Sequence, residues 1–206
     1  MAEDTDEALV ARYRRGDVAA FEVLLDRHGG GVERFLVRFL QDRARAEDLA
    51  QECWLRFIGA VPRWDDERSR FKTWLYTVAR NLATDEARRS LHRRHGRLTE
   101  HERPDPLVAD GASVARTPDE ALADARLRSA LERAIADLPP DQREVFLLRE
   151  YEGVPFAEIA EVTRAPLGTV KSRMRYALEE LRQALASHGA DGWGAPTAST
   201  TGKARS

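Results

Sequence analysis

Apolar residues recur at spacings of three and four through most of the chain, and the elements they predict are helices. Leu9, Val10 and Tyr13 mark a first helix from Asp6 to Arg15, which stops before Gly16. Asp17 stands where it can cap the next helix, whose inward residues are Phe21, Leu24, Leu25 and His28. Gly29-Gly30-Gly31 interrupts that helix. Three consecutive glycines weaken helical backbone, so a kink or break is expected before the pattern resumes at Val32, Phe35, Leu36, Phe39 and Leu40. A third helix is expected from about Ala44 to Ala60. Its buried face is Leu49, Cys53, Trp54, Phe57 and Ile58, its polar face is Glu47, Asp48, Gln51 and Glu52, and Pro62 ends it. After a polar loop holding Trp64 and Asp65-Asp66-Glu67, a fourth helix runs from about Ser69 to Arg94. Phe71, Leu75, Val78 and Leu82 form its core stripe, while Trp74, Thr77, Asn81, Asp85 and Arg88 lie on another stripe.

From Gly96 to Pro118 the periodicity is lost among Pro104, Pro106, Gly111 and Pro118, which reads as a linker. Helical spacing returns with Leu122, Leu127, Leu131 and Ile135. Leu138-Pro139-Pro140 breaks it, and Pro140 suits the first turn of a further helix containing Val145, Phe146, Leu147 and Leu148. After Ala186 the composition turns to Gly, Ser, Thr, Ala and Pro with no core pattern, and a disordered tail is expected over 187–206. The fold class is therefore all-α, with two small helical domains over 1–95 and 119–186 joined by a flexible linker over 96–118. A tether of that length spans roughly 75 Å at full extension, at about 3.3 Å per residue. As a coil it spans about 25–30 Å.

Between Gly153 and Arg175 two short helices meet at a tight turn. The first is apolar at Phe156, Ile159, Ala160 and Val162; the second carries Val170, Met174, Leu178, Leu181 and Leu185 on one face. Thr169, Lys171, Ser172, Arg173 and Arg175 lie away from that stripe. A helix offering hydroxyls and cations from its first turns fits a DNA major groove, so the pair reads either as a helix-turn-helix or as an ordinary helical hairpin with a solvated basic face.

Charge adjusts this picture. The formal net charge is -2 and charged residues make up 33% of the chain, too balanced for binding nucleic acid by bulk charge alone. The charge is segregated, however, into an acidic start (Glu3, Asp4, Asp6, Glu7) and a basic stretch from Arg88 to Arg103. A single cysteine, Cys53, excludes an intramolecular disulfide and a Cys-rich zinc site. No apolar run approaches 20 residues and no signal-peptide pattern is present, so no membrane insertion and a cytoplasmic protein are expected.

Four stretches taken together carry a resemblance. They are Arg45-Ala46-Glu47-Asp48-Leu49-Ala50-Gln51-Glu52-Cys53-Trp54, then Phe71-Lys72-Thr73-Trp74-Leu75-Tyr76-Thr77-Val78-Ala79-Arg80-Asn81, then Leu138-Pro139-Pro140-Asp141-Gln142-Arg143-Glu144-Val145-Phe146, then Gly168-Thr169-Val170-Lys171-Ser172-Arg173. In this order, with a poorly patterned linker between the pairs, the chain from about Phe21 to Leu185 resembles the extracytoplasmic-function (ECF) group of the sigma-70 family of RNA polymerase sigma factors.

The resemblance implies an alternative sigma factor that binds core polymerase and directs initiation at chosen promoters. Asp48, Gln51 and Glu52 would meet the polymerase clamp, and the second domain would dock on the flap. The loop from Arg63 to Arg70 takes the place of the family's pocket for a base flipped from the melted −10 element. Trp64 there is either a base platform or a core plug. Asn81, Asp85 and Arg88 would read the −10 strand, and Arg88, Arg89, Arg93 and Arg94 would hold its backbone. Thr169, Lys171, Ser172 and Arg173 would read base edges of the double-stranded −35 element, with Arg164, Arg175 and Tyr176 on phosphates. The family also implies an anti-sigma partner.

A conventional helix-turn-helix regulator is the competing reading; it has no need of the Asp48-Gln51-Glu52 face followed by an aromatic loop and a basic helix. An enzyme is not expected. The five histidines show no metal-ligand pattern, no cofactor motif is present, and Cys53 sits on an apolar stripe as a core residue would.

Overall fold

The computed structural model describes residues 4–64, 70–95 and 118–186, and every regular element among them is helical. The first half holds α1 (Asp6–Arg14), α2 (Val18–Leu40), α3 (Arg43–Ala60), a 3-10 turn at Val61–Arg63 and α4 (Phe71–His95). The second holds α5 (Pro118–Asp137), α6 (Pro140–Phe146), a widened π turn at Leu147–Tyr151, α7 (Phe156–Thr163) and α8 (Leu167–Ala186). No helix among the described residues is long and apolar enough to cross a membrane. Of the expected linker over 96–118, Pro118 opens α5 and the remainder, with the acidic run Asp65-Asp66-Glu67 and the tail over 187–206, lies outside the described residues.

Local chemistry sets several helix starts. Thr5 accepts a hydrogen bond from the Ala8 amide at 3.2 Å and caps α1; Asp42 accepts from the Arg45 amide at 3.0 Å and caps α3. Asp17 occupies the cap position of α2 but makes no cap bond, because its carboxylate is taken by Arg12 Nε at 2.9 Å.

The triple glycine does not break α2. The helix runs through it without interruption, contrary to the sequence expectation. Each glycine costs about 1 kcal/mol relative to alanine. That loss is offset by full burial of Leu24, Val32, Phe35 and Leu36 on both sides of it, each worth roughly 1.5–3 kcal/mol. A Cβ on Gly29 or Gly30 would meet only side chains of α2 itself. One on Gly31 would stand 2.5 Å from Glu152 Oε2 and 2.8 Å from the Tyr76 hydroxyl.

The first half closes around aromatic rings. Phe57 and Phe71 lie 5.1 Å apart and Trp64 and Trp74 5.4 Å apart, within the range of favourable ring pairs. Trp64 retains 8% of its exposure, and its carbonyl accepts from Arg14 at 3.0 Å. It is a core plug, so the base-platform alternative is not what this arrangement offers. Two smaller expectations also change. Ile58 is 40% exposed, because the inward face of α3 is filled by Leu49, Cys53, Trp54 and Phe57. Val78 is half-buried, and the small Ala79 and Ala83 take the close-packed positions of α4.

In the second half Leu122 and Leu127 are exposed, so the expected stripe on α5 is buried only at its C-terminal end, at Ile135. Pro140 opens α6 as anticipated, and Val145, Phe146, Leu147 and Leu148 are all buried. Arg164 ends α7 in the left-handed region at φ 53, its amide bonded back to the last turn, and this makes the tight turn into α8.

The two halves are packed together rather than merely tethered. α7 lies along α4, the π turn meets α2, and one continuous apolar core runs from Leu9 to Leu181.

Cys53 is fully buried, its thiol directed at the Leu75 carbonyl at 3.7 Å, and burial pushes the thiol up to about 12. At pH 8 it is therefore held as the unreactive thiol. The native protein should therefore resist a maleimide at pH 8 and react on denaturation. Because the folded-state value is raised, this group's contribution to stability is present below the unfolded value near 8.5 and lost as pH rises towards the folded one. Rapid labelling of the native chain would show that Cys53 is not a core residue.

Candidate nucleic-acid interface

Three faces left outside the core hold nearly all of the residues singled out in the sequence. On α3, burial of Leu49, Cys53 and Trp54 turns Asp48 and Gln51 to solvent and leaves Glu52 partly open. Asp48 accepts from Arg45 at 3.2 Å and Glu52 from Arg56 at 2.9 Å, both in exposed pairs of the kind that exchange readily for a partner's cations.

On α4 the stripe of Asn81, Asp85 and Arg88 faces away from the core. Asn81 is half-buried, while Asp85, Arg88 and Arg89 are exposed. Arg88 stands 3.9 Å from Asp85 and Arg89 3.8 Å from the buried Glu86, so the cations are loosely held and point outward. The side chains of Arg93 and Arg94 lie outside the described residues.

On α8 the core stripe of Val170, Met174, Ala177 and Leu181 leaves Lys171 and Arg175 as an exposed row at a spacing of four, with Thr169 and Ser172 half-buried beside it. Ser172 donates to the Thr169 carbonyl at 2.9 Å, so its hydroxyl oxygen remains open as an acceptor. Arg175 stacks on the Tyr176 ring at 4.8 Å, and Arg164 is exposed in the preceding turn.

Arg173 departs from expectation. It is turned back towards α6, with Nε 3.0 Å from Asp141 and NH1 3.8 Å from Glu144. In this arrangement it braces α8 against α6 instead of presenting its guanidinium outward. Its position one residue before Met174 explains this: it flanks the buried stripe rather than opposing it.

The sequence reading missed a second set of charged groups. Arg38, Glu144 and Glu152 are all buried, and burial raises the Glu144 carboxyl above its usual range even though Arg80 donates to it at 3.0 Å. No spacing rule marks such residues. The one signal available was the glycine triplet, which is where Glu152 comes to rest.

Two family models match the chain. Sigma-70 region 2 covers residues 24–94 and Sigma-70 region 4 covers residues 128–181. The RNA polymerase sigma-H factor of Pseudomonas aeruginosa is 31% identical over 186 residues, covering 90% of this chain and 96% of that one. The ECF sigma factor SigC of Mycobacterium tuberculosis is 36% identical over 174 residues, covering 84% and 88%.

The chain belongs to the ECF group of the sigma-70 family.

It is an alternative sigma factor, a subunit that joins core RNA polymerase and directs it to promoter DNA, and its family is not one of enzymes. The solved structure of CnrH in complex with the cytosolic domain of CnrY shares the fold at a TM-score of 0.63 and 23% identity, covering 89% of this chain and 99% of that one. The sigma factor RpoE of Bartonella quintana, solved with the anti-sigma factor NepR, shares it at 0.63 and 21%, covering 81% and 96%.

The exposed cations of α8 make a specific expectation. Arg175→Ala, and Arg164→Ala in the turn before α8, should each weaken binding of the holoenzyme to promoter DNA about uniformly across promoter sequences and lower the slope of log affinity against log salt by about 1. Titrations between about 50 and 200 mM salt check this. Unchanged slopes would remove both residues from the phosphate-contacting surface.

Proposed function

We propose that this sigma factor divides its work among the three outward faces. The α3 face of Asp48, Gln51 and Glu52 engages the polymerase clamp, the α4 stripe reads and holds the melted −10 strand, and the α8 row reads the duplex −35 element. The observation that carries this reading is the coincidence of those three faces with the surfaces that helix packing leaves free, on a chain whose family membership is established.

On α4, Asn81 offers the amide that pairs with an adenine edge, and Arg88 and Arg89 neutralise strand phosphates. Arg93 and Arg94 extend that cationic end in sequence. On α8, Thr169, Lys171 and Ser172 meet base edges, and Arg164, Arg175 and Tyr176 meet the backbone. Burial of Trp64 supports assigning it to the support of α4's first turn rather than to a base. The domain limits that go with this assignment are 1–95 for the polymerase and −10 unit and 119–186 for the −35 unit, which docks on the flap.

Two solved proteins of the same fold are held by partners, CnrH by CnrY and RpoE by the anti-sigma factor NepR. An anti-sigma factor acting on this chain follows by the same logic. A cytoplasmic location follows from its work on core polymerase. A regulator acting without polymerase is not favoured, because it leaves the α3 face and the α4 stripe without a role.

Run-off transcription with core polymerase on a genomic fragment library should yield discrete starts sharing two sequence elements. The triple variant Asp48→Ala, Gln51→Ala, Glu52→Ala should lose co-elution with core while keeping the parent's helical circular-dichroism signal. Asn81→Ala should keep co-elution and lose promoter opening. Retained co-elution by the triple variant would move the clamp contact to another face.

A further inference from the structure

Helices α3 and α4 pack antiparallel. Cys53, in the second half of α3, meets the Leu75 carbonyl near the start of α4, and Arg45, in the first turn of α3, meets Glu86 further along α4. The stretch of α3 that carries Asp48 therefore lies beside the stretch of α4 that carries Arg88 and Arg89. Between them stands a carboxylate with no part in the functions assigned so far.

Glu86 continues the inward stripe of α4 after Leu75, Ala79, Leu82 and Ala83, and it is 2% exposed. An apolar side chain would fill that place without taking a charge out of water. Two cations converge on one oxygen of it. Arg45 NH2 donates to Glu86 Oε2 at 3.0 Å, and Arg89 NH1 stands 3.8 Å from the same atom, outside hydrogen-bond reach. Arg45 also donates to Asp48 at 3.2 Å. Glu86 is its stronger partner: the hydrogen bond to Glu86, ahead of every other contact, holds the Arg45 guanidinium above the usual arginine value.

A bridge that only pinned α3 to α4 would be complete with Arg45. Arg89, one turn beyond Glu86 on the same helix, feels the same charge from the solvent side. The pair of Asp85 and Arg88 beside it, 3.9 Å apart, is exposed at both ends and screened by salt. The Glu86 carboxylate is buried, so its pull on Arg89 is screened much less. A strand phosphate must compete with that pull.

We propose that Glu86 and Arg45 set how tightly α4 holds the melted strand: the Glu86 carboxylate restrains Arg89 from the strand phosphates, and Arg45 limits the restraint by occupying the carboxylate. Both are positioning residues that act through Arg89. The proposal rests on the assignment of Arg88 and Arg89 to the strand backbone. Phosphate contacts carry no sequence information, so the pair sets affinity for the strand and leaves the choice of bases to other residues.

The test uses holoenzyme assembled from the full chain and core polymerase, with assembly of each variant verified by co-elution. The probe is a fork-junction DNA whose single-stranded arm carries the downstream element mapped by run-off transcription. Glu86→Gln keeps the shape of the buried side chain and removes its charge. It should tighten binding by about twofold to fivefold, the range of an exposed ion pair. It should also steepen the slope of log affinity against log salt by up to about 0.7, the increment for one single-strand phosphate. Arg45→Met keeps the apolar stem and leaves the carboxylate to Arg89, so it should weaken binding by a similar factor and flatten the slope. The double variant of Arg45→Met with Glu86→Gln should bind as Glu86→Gln does, because Arg45 has no effect once the charge is gone.

A bridge with only a structural role would weaken binding in both single variants, and the two effects would add or worsen in the double. Effects of the same sign in the two single variants overturn the proposal, as does a double variant that binds like Arg45→Met. Arg89→Ala keeps this apart from the assignment beneath it. If Arg89→Ala leaves fork binding unchanged, the strand-holding role of Arg89 fails. If it weakens binding while Glu86→Gln and Arg45→Met change nothing, that role stands and the restraint alone is overturned.

Discussion

Helix α4 is wedged between α2 and α3 on one side and α7 on the other, and that double burial decides which of its residues meet solvent. Phe71, Leu75, Ala79 and Leu82 pack into the first half, while Thr73, Tyr76 and Arg80 turn towards the second. What remains is the strip of Asn81, Asp85 and Arg88. The helix proposed to read the melted strand is thus also the wall on which the other half of the molecule rests. Any change in how α7 sits on it reaches the reading strip through one turn of helix.

The wall is held by polar groups as much as by apolar ones. Buried carboxylates such as Glu144 and Glu152 are poor sources of net stability, because removing an ion from water costs several kcal/mol before any partner is found. They are good sources of register: Glu144 finds Arg80 only when α4 and α6 meet at one place, and Glu152 Oε2 finds the Tyr76 hydroxyl only over the bare backbone at Gly31. An interface built this way is specific when closed and loses little when solvated. Those are the properties a two-state element needs if binding a partner is to shift it.

Much of the fold was legible because helix periodicity is local. The inward faces of α3 and α8, the start of α6 at Pro140 and the outward positions of Asp48, Lys171 and Arg175 all follow from which neighbours sit three and four residues away. The misreadings share one cause. Ile58, Leu122 and Leu127 lie on the expected apolar stripes but stay partly open to solvent, and Arg173 lies on the edge of a polar face beside Asp141 of another helix. Whether a stripe residue is covered depends on the element across from it, and that element is distant in sequence.

The chain's own pattern of apolar positions determined eight α-helices among the described residues, the helix-turn-helix, and the outward strips of Asn81, Asp85 and Arg88 on α4 and of Lys171 and Arg175 on α8, because each is set by contacts within a few residues. Long-range packing decided the rest. It carried α2 straight through three glycines, since burial of Val32, Phe35 and Leu36 outweighs the propensity lost at Gly29, Gly30 and Gly31. It put Trp64 in the core, where the rings of Phe57, Phe71 and Trp74 surround it. It also brought Glu152 onto Gly31 from more than a hundred residues away, a contact no periodicity records, because a missing side chain becomes a socket only when something arrives to fill it.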